Sequence, residues 1–390
     1  MRRAPILVAA ALVAGSVAVS IPGGVATTAA SPSSAPSIAP ASGTIMFARS
    51  DKDGDPATLY TVAPDGSGMQ TAEAAFDCCN QWSFDGKRIL LPATAPDGKL
   101  GTTAMIDPDG SNRALVPLPD ATLNLGAGAW TPGGRIVFDG WDDQDDSRNG
   151  AYIADPTDIS SLERLTSTTG GGHDFPVSVS PDGSHVLLTR VAPDPANPGD
   201  TLQSGDLMVV GTDGTDLKQL NAHGFRVNSD TSWGNEATWS PDGKRVAFVA
   251  YAGDFGSPAS VYVTDIGAGE PNAIVTGISS WETPQWSPDG TWIAFDGGSA
   301  DANGVVVIHP DGTGRTSLVP THAADGSSVD PAKTCCAVWS PDGTKLLFQV
   351  SQGGQTVDLY TMNTDGSDLR RLTNHPGYYA WYGWGPSPAR

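Results

Sequence analysis

Glutamate is nearly missing from this chain: of 43 acidic residues among 390, 38 are Asp and only 5 are Glu. Asp favours turns and caps while Glu favours helix interiors, so the shortage argues against a mainly helical protein. Basic charge is scarce too, with 22 Lys and Arg and a formal net charge of −21. A phosphate backbone is held by clustered Lys and Arg, which excludes nucleic-acid binding. Cysteine occurs only 4 times, and no long apolar run follows residue 21. What is abundant is Gly (47) and Pro (31), beside 11 Trp and 39% hydrophobic residues. That mixture makes many turns and still leaves enough apolar surface for a core.

The N-terminus has the order of an export signal. Arg2 and Arg3 precede an uncharged apolar stretch from about Ile6 to Ile21, and small residues follow around Ala26 to Ala30. A permanent membrane anchor is the alternative, but Gly15, Pro22, Gly23 and Gly24 interrupt a short apolar core. No Cys lies near the cleavage zone to carry a lipid. Residues 1–30 are therefore expected to be a signal peptide and 31–43 a Ser/Ala/Pro-rich linker. The expected product is exported, acidic and monomeric, with no integral membrane segment.

From residue 44 to 390 one unit repeats. Its first phrase is Trp-Ser-Pro-Asp-Gly followed by a basic or polar residue and an apolar run: WSPDGKRVAF at 239–248, WSPDGTWIAF at 286–295 and WSPDGTKLLF at 339–348. Looser copies are WSFDGKRILL at 82–91, WTPGGRIVF at 130–138 and VSPDGSHVLL at 179–188, and WGP at 384–386 begins another. The second phrase is an apolar strand, Asp-Gly-Ser/Thr and an ending near Leu-Thr, as in LYTMNTDGSDLRRLT at 359–373 and LMVVGTDGTDLKQL at 207–220. Pro presets φ, Asp caps the turn and Gly takes positive φ, so each phrase closes a hairpin. Two hairpins in about fifty residues make a four-stranded antiparallel blade. The expected fold is all-β, a seven-bladed β-propeller. TIMFARS at 44–50 would pair with the C-terminal YYAWYGWGP to close the ring and remove its open edge. Six blades are the alternative if those ends do not pair. The Trp recurring once per blade is read as packing between blades.

These phrases resemble the repeats of the TolB-like β-propellers, and the resemblance covers essentially all of 44–390. TolB itself carries an additional N-terminal α/β domain and six blades, so the Tol–Pal roles do not carry over from the resemblance. Related prolyl oligopeptidases append a hydrolase domain after such a propeller. This chain has no G-x-S-x-G nucleophile elbow and ends about six residues past its last Trp, so that activity is not expected.

Function is sought on the face opposite the repeated turns, where loops vary. Adjacent cysteines, Cys78–Cys79 and Cys335–Cys336, precede a repeat Trp in the same register, at the start of the innermost strand and near the channel mouth. Oxidation is expected after export. Three arrangements stand: two vicinal disulfides, a bond between the pairs, or four thiolates on a soft metal such as copper or zinc. Asp77, His173, Asp174, Glu236, Glu282 and Trp381 reach the same zone by register. A His173–Asp174 pair beside glutamates would suit acid–base chemistry or a metal. The loops are acidic: Asp51, Asp53 and Asp55 fall in DKDGD, and Asp139, Asp142, Asp143, Asp145 and Asp146 crowd another. Calcium takes several oxygens from one loop, so calcium is a possible cofactor there, against a plain solvated acidic surface. The expected function is a non-catalytic binding or scaffold protein of the cell envelope or extracellular space, taking a protein or polymer at the mouth. A saccharide-directed lyase or hydrolase at the same mouth is the alternative.

Overall fold

The computed structural model describes residues 43–386 apart from 53–54, 77–80, 99, 169, 193–204, 222–224, 228–236, 253–257, 268–269, 279–282, 298–303, 319–325, 327–328, 354–355 and 376. The described residues form seven antiparallel sheets, six of four strands and one of five. Seven inner strands, from Gln81–Trp82 round to Tyr378–Trp384, each contact the next, and Trp82 packs with Met46 and Leu59 across the remaining joint, so they make the inner wall of a ring. No helix among the described residues is long and apolar enough to cross a membrane.

Both ends of the chain build the closing blade. Tyr378–Trp384 is its inner strand, followed outward by Ile45–Ser50, Ala57–Val62 and Gln70–Phe76. Ile45 pairs with Trp384, and the Gly385 N–H donates to the Thr44 carbonyl at 2.7 Å. The second blade begins at Gln81–Trp82, the third at Leu123–Trp130 and the fourth at His173–Val179. The sixth begins at Gln285–Trp286 and the seventh at Thr334–Trp339. The fifth departs from the expected four strands. Phe225–Arg226 and Ala237–Trp239 both pair with Arg245–Ala252, at its opposite ends. The inner position is filled in two pieces, which accounts for the long interval between Val179 and Trp239.

Each turn is specified by its own residues. In the seventh blade Ser340 Oγ donates to Asp342 Oδ1 at 2.7 Å, and the Thr344 N–H donates to the same oxygen at 3.0 Å. The Gly343 N–H closes the turn on the Ser340 carbonyl at 2.8 Å. Gly343 sits at φ +69° against Pro288 of the preceding blade, where a Cβ would be strained. Gly243 on Pro181, Gly290 on Pro241 and Gly86 on Pro386 repeat that contact around the ring.

The apolar core lies between blades. Met46 and Leu59 of the closing blade pack with Trp82, Ile89 and Leu91 of the second, and Ala294 and Val307 of the sixth with Trp339 and Phe348 of the seventh. All six repeat tryptophans are buried, between 1% and 7% exposed, as packing between blades requires. Three also donate Nε1–H to the preceding inner strand: Trp239 to Ser178 at 3.5 Å, Trp339 to Gln285 at 3.0 Å and Trp384 to Val338 at 3.2 Å.

Candidate functional site

The inner strands begin at the face opposite the Pro-Asp-Gly turns, with His173 and Asp174 at the start of the fourth blade's strand and Cys335 and Cys336 at that of the seventh. Cys78, Cys79, Asp77, Glu236, Glu282 and Asp53 fall outside the described residues, as do 1–42. Trp381 lies within the strand Tyr378–Trp384.

His173 opens the inner strand of the fourth blade, and its acidic partner is not the neighbour in sequence. Its Nδ1 lies 3.4 Å from Asp139 Oδ2 on the third blade. Asp174 is fully buried and committed elsewhere: Arg190 grips it with Nε and Nη2, each at 2.7 Å, and Thr166 Oγ1 donates to it at 2.5 Å. The expected His173–Asp174 pair is thus corrected to His173–Asp139. Successive strand residues point to opposite faces, so adjacent positions cannot share one partner easily.

Asp139 is buried, and its Oδ1 has no hydrogen-bond partner among the described residues. Burial pushes its carboxyl up from the ordinary range, against the pull of His173. The Asp139 carboxylate in turn raises the His173 imidazole above its usual value, against the cost of that residue's own burial. Both directions mean that the folded pair keeps a proton to higher pH than the unfolded chain does. The aromatic ring of Phe175 stacks on His173 at 5.3 Å, and Trp141 lies at 6.3 Å. All three rings are half-buried. This is a compact rim of aromatic surface with the Asp139 carboxylate behind its imidazole.

A titration follows from this geometry. Groups that bind protons more tightly when folded contribute stability that is complete at low pH and lost as pH rises through the folded value. The imidazole's share is therefore lost above about pH 6.5, the ordinary His value, as the raised value is passed. NMR titration of the His173 ring should give a midpoint above the ordinary His value of about 6.5, and a lower one in Asp139→Asn. An unshifted midpoint in that variant would dissolve the pair.

In the acidic loop of the third blade one cation is shared by two carboxylates. Arg148 reaches Asp120 at 2.5 Å and Asp142 at 2.7 Å. Arg148, helped by the Thr122 and Leu123 N–H groups, holds the Asp120 carboxyl far below its usual range. Asp142 also accepts the Gln144 N–H at 2.9 Å and the Asp145 N–H at 3.2 Å. Asp145 caps the short helix Asp146–Arg148 by accepting from Ser147 N–H. Asn149 Nδ2 donates to the Gly172 carbonyl at 3.3 Å, fastening the loop beside His173. Asp51 pairs with Arg49 at 2.6 Å. No group of three or more His, Cys, Asp or Glu suited to a metal occurs among the described residues. Asp142 is thus engaged by Arg148 and by the Gln144 and Asp145 N–H groups, and Asp145 by the Ser147 N–H and hydroxyl.

At the seventh blade the sulfurs of Cys335 and Cys336 lie within bonding contact, and their Cα atoms are 3.8 Å apart. Cys336 takes φ +67°, rare for a residue with a Cβ, and the ladder shifts register between Cys335 and Val338. Tyr382 of the closing blade donates its hydroxyl to the Cys336 carbonyl at 2.6 Å. The pair therefore sits at the seam where the ring closes.

No protein-family model matches the chain. Over 109 residues, 26% of this chain, it is 34% identical to the uncharacterized peptidase YuxL of Bacillus subtilis (strain 168), of which that stretch is 15%. Over 115 residues, 29% of the chain, it is 30% identical to the Tol-Pal system protein TolB of Anaeromyxobacter dehalogenans (strain 2CP-C), of which that stretch is 23%. The matches thus span less than a quarter of either relative. The structure of TolB from Acinetobacter baumannii superposes with a TM-score of 0.51 at 19% identity, covering 88% of this chain and 67% of that one. At such identity the superposition bears on fold alone.

Proposed function

We propose that this β-propeller, whose repeats and fold are similar to those of TolB, is an exported, non-catalytic binding protein of the cell envelope or extracellular space. Its ligand is a protein or envelope polymer taken at the channel mouth. The observation that carries this reading is the half-buried aromatic rim of Trp141, His173 and Phe175 on the face of variable loops. Flat aromatic surface with a polar handle suits binding. The Cys335–Cys336 pair is read as an oxidised vicinal ring that stiffens the opposite side of the same mouth. A relative named for a protein system supports a protein ligand.

One observation favours a second reading. An imidazole backed by a buried carboxylate is equipped for proton transfer, which would suit a lyase or hydrolase acting on saccharides. The two readings separate by affinity capture from the source organism's envelope and medium. The bait is the protein beside a folded His173→Ala/Cys335→Ser/Cys336→Ser variant. A stoichiometric partner retained by the protein and lost by the variant is the expected result. Release of unsaturated or reducing ends from a polysaccharide panel, with no partner captured, would replace binding by catalysis.

A further inference from the structure

The turn face, opposite the mouth just described, carries a site of its own. In the repeat, the residue that enters the second strand of a blade is basic: Arg88, Arg135, His185, Arg245 and Lys345. In the second blade it meets the acid across the hairpin, Arg88 to Asp107 at 3.1 Å, and in the seventh Lys345 meets Asn363 at 2.9 Å. The sixth blade replaces both partners. Trp292 stands in the basic position and His309 opposite it, their rings stacked at 3.8 Å and 25°.

That exchange removes a cation and places a half-buried indole beside a cavity of about 1000 Å³ lined by the turns of the fifth, sixth and seventh blades. Its walls include Trp292, Leu318, Pro288 and Pro341, and its rim includes Asp242 and Asp289. No Lys or Arg is among the described residues that line it. Burial opposes ionisation of Asp289, but the Ser287 hydroxyl and Thr291 donors outweigh it and hold the carboxyl below its usual range. Asp242 is held down in the same way by Ser240 and Lys244. The groove is apolar at its wall, aromatic at one side and anionic at its rim.

We infer that this groove binds an extended cationic segment of a partner protein, with an Arg or Lys side chain seated against Trp292 between the rim carboxylates. The occupant follows from charge complementarity: a cation gains from the indole face and from the carboxylates together, while prolines give a pre-extended chain a matching apolar wall. Only the sixth blade, among the five that carry a basic residue or its replacement beside an intact Pro-Asp-Gly or Phe-Asp-Gly turn, offers the aromatic element.

A fluorescent nonapeptide of alternating Arg and Pro is the probe, with its Glu/Pro counterpart as control. The variant Trp292→Arg/His309→Asp restores the second blade's ion pair and leaves formal net charge unchanged, +1 and −1 with His neutral. Binding to the Arg/Pro peptide is expected to be at least about tenfold weaker in that variant and to fall with salt. Should the variant fail to fold, Asp242→Asn/Asp289→Asn keeps the turn-accepting oxygens and should weaken binding as well. Equal affinity of the protein and a folded variant would mean general attraction to an acidic surface and overturns the site. So would absence of binding, or equal binding of the Glu/Pro control. Self-association that the variant loses, seen by light scattering without peptide binding, would assign the groove to a second copy and overturn it too.

Discussion

Trp384→Ala is expected to cost about 3–5 kcal/mol, read from the urea unfolding midpoint, as large-to-small changes of buried Trp do. Trp384 is 1% exposed and packs with Ile45, Phe47, Leu347 and Tyr382, drawn from both ends of the chain and from the seventh blade. Its strand is the only one of the closing blade that comes from the C-terminal side, so the cavity opens at the seam. The change also strands the Val338 carbonyl, which loses the Nε1–H donor at 3.2 Å. Trp286→Ala is the fitting comparison. That indole is also buried, at 7% exposure, but its Nε1 has no partner among the described residues. Its loss should be smaller by about 1 kcal/mol, the net worth of one hydrogen bond. A loss under about 1 kcal/mol for Trp384→Ala would mean that the seam does not hold the ring.

Arg190→Gln should lower stability by about 3 kcal/mol, because it leaves a fully buried carboxylate without its cation. Asp174 is 0% exposed and receives both Arg190 nitrogens at 2.7 Å. The pair reaches across blades, since Thr166 donates to Asp174 while accepting the Ala151 N–H of the third blade at 2.8 Å. Arg190 is itself 27% exposed, which places the expected loss at the low end of the range for buried pairs. The contrasting change is Arg113→Gln. Its partner Glu73 lies at 3.2 Å on the surface, where such pairs contribute under about 1 kcal/mol. Arg190→Gln/Asp174→Asn should recover part of the single variant's loss, since the uncompensated charge is gone. Equal small losses for Arg190→Gln and Arg113→Gln would count against a structural role for the buried pair.

The two comparisons rest on the same feature of the fold. Each blade is too thin to bury its own side chains, so stability resides between neighbours. The rim residues inherit that arrangement. His173 belongs to the fourth blade, while Asp139 and Trp141 belong to the third, and the distance between them is set by how the two blades dock. The vicinal cysteines have the same character, with Tyr382 of the closing blade holding the Cys336 carbonyl.

The amino-acid sequence by itself determined the blade, the turns and the closure of the ring. Those features are local or periodic: the bonds that shape a Ser-Pro-Asp-Gly turn connect residues within five positions, from Ser340 Oγ to the Lys345 N–H. The burial of one Trp per repeat follows from the same period. Only the tertiary structure decided which charged groups face one another. Asp174 follows His173 directly, yet alternation along a strand gives the neighbour to Arg190 and brings Asp139 from 34 positions away. In the acidic loop weighed for calcium, Asp142 meets Arg148, a residue the same stretch supplies but whose direction no spacing fixes. The Trp292–His309 exchange was present in the repeats. That it borders a cavity depends on how far the sixth and seventh blades stand apart, and the packing of the whole ring sets that distance.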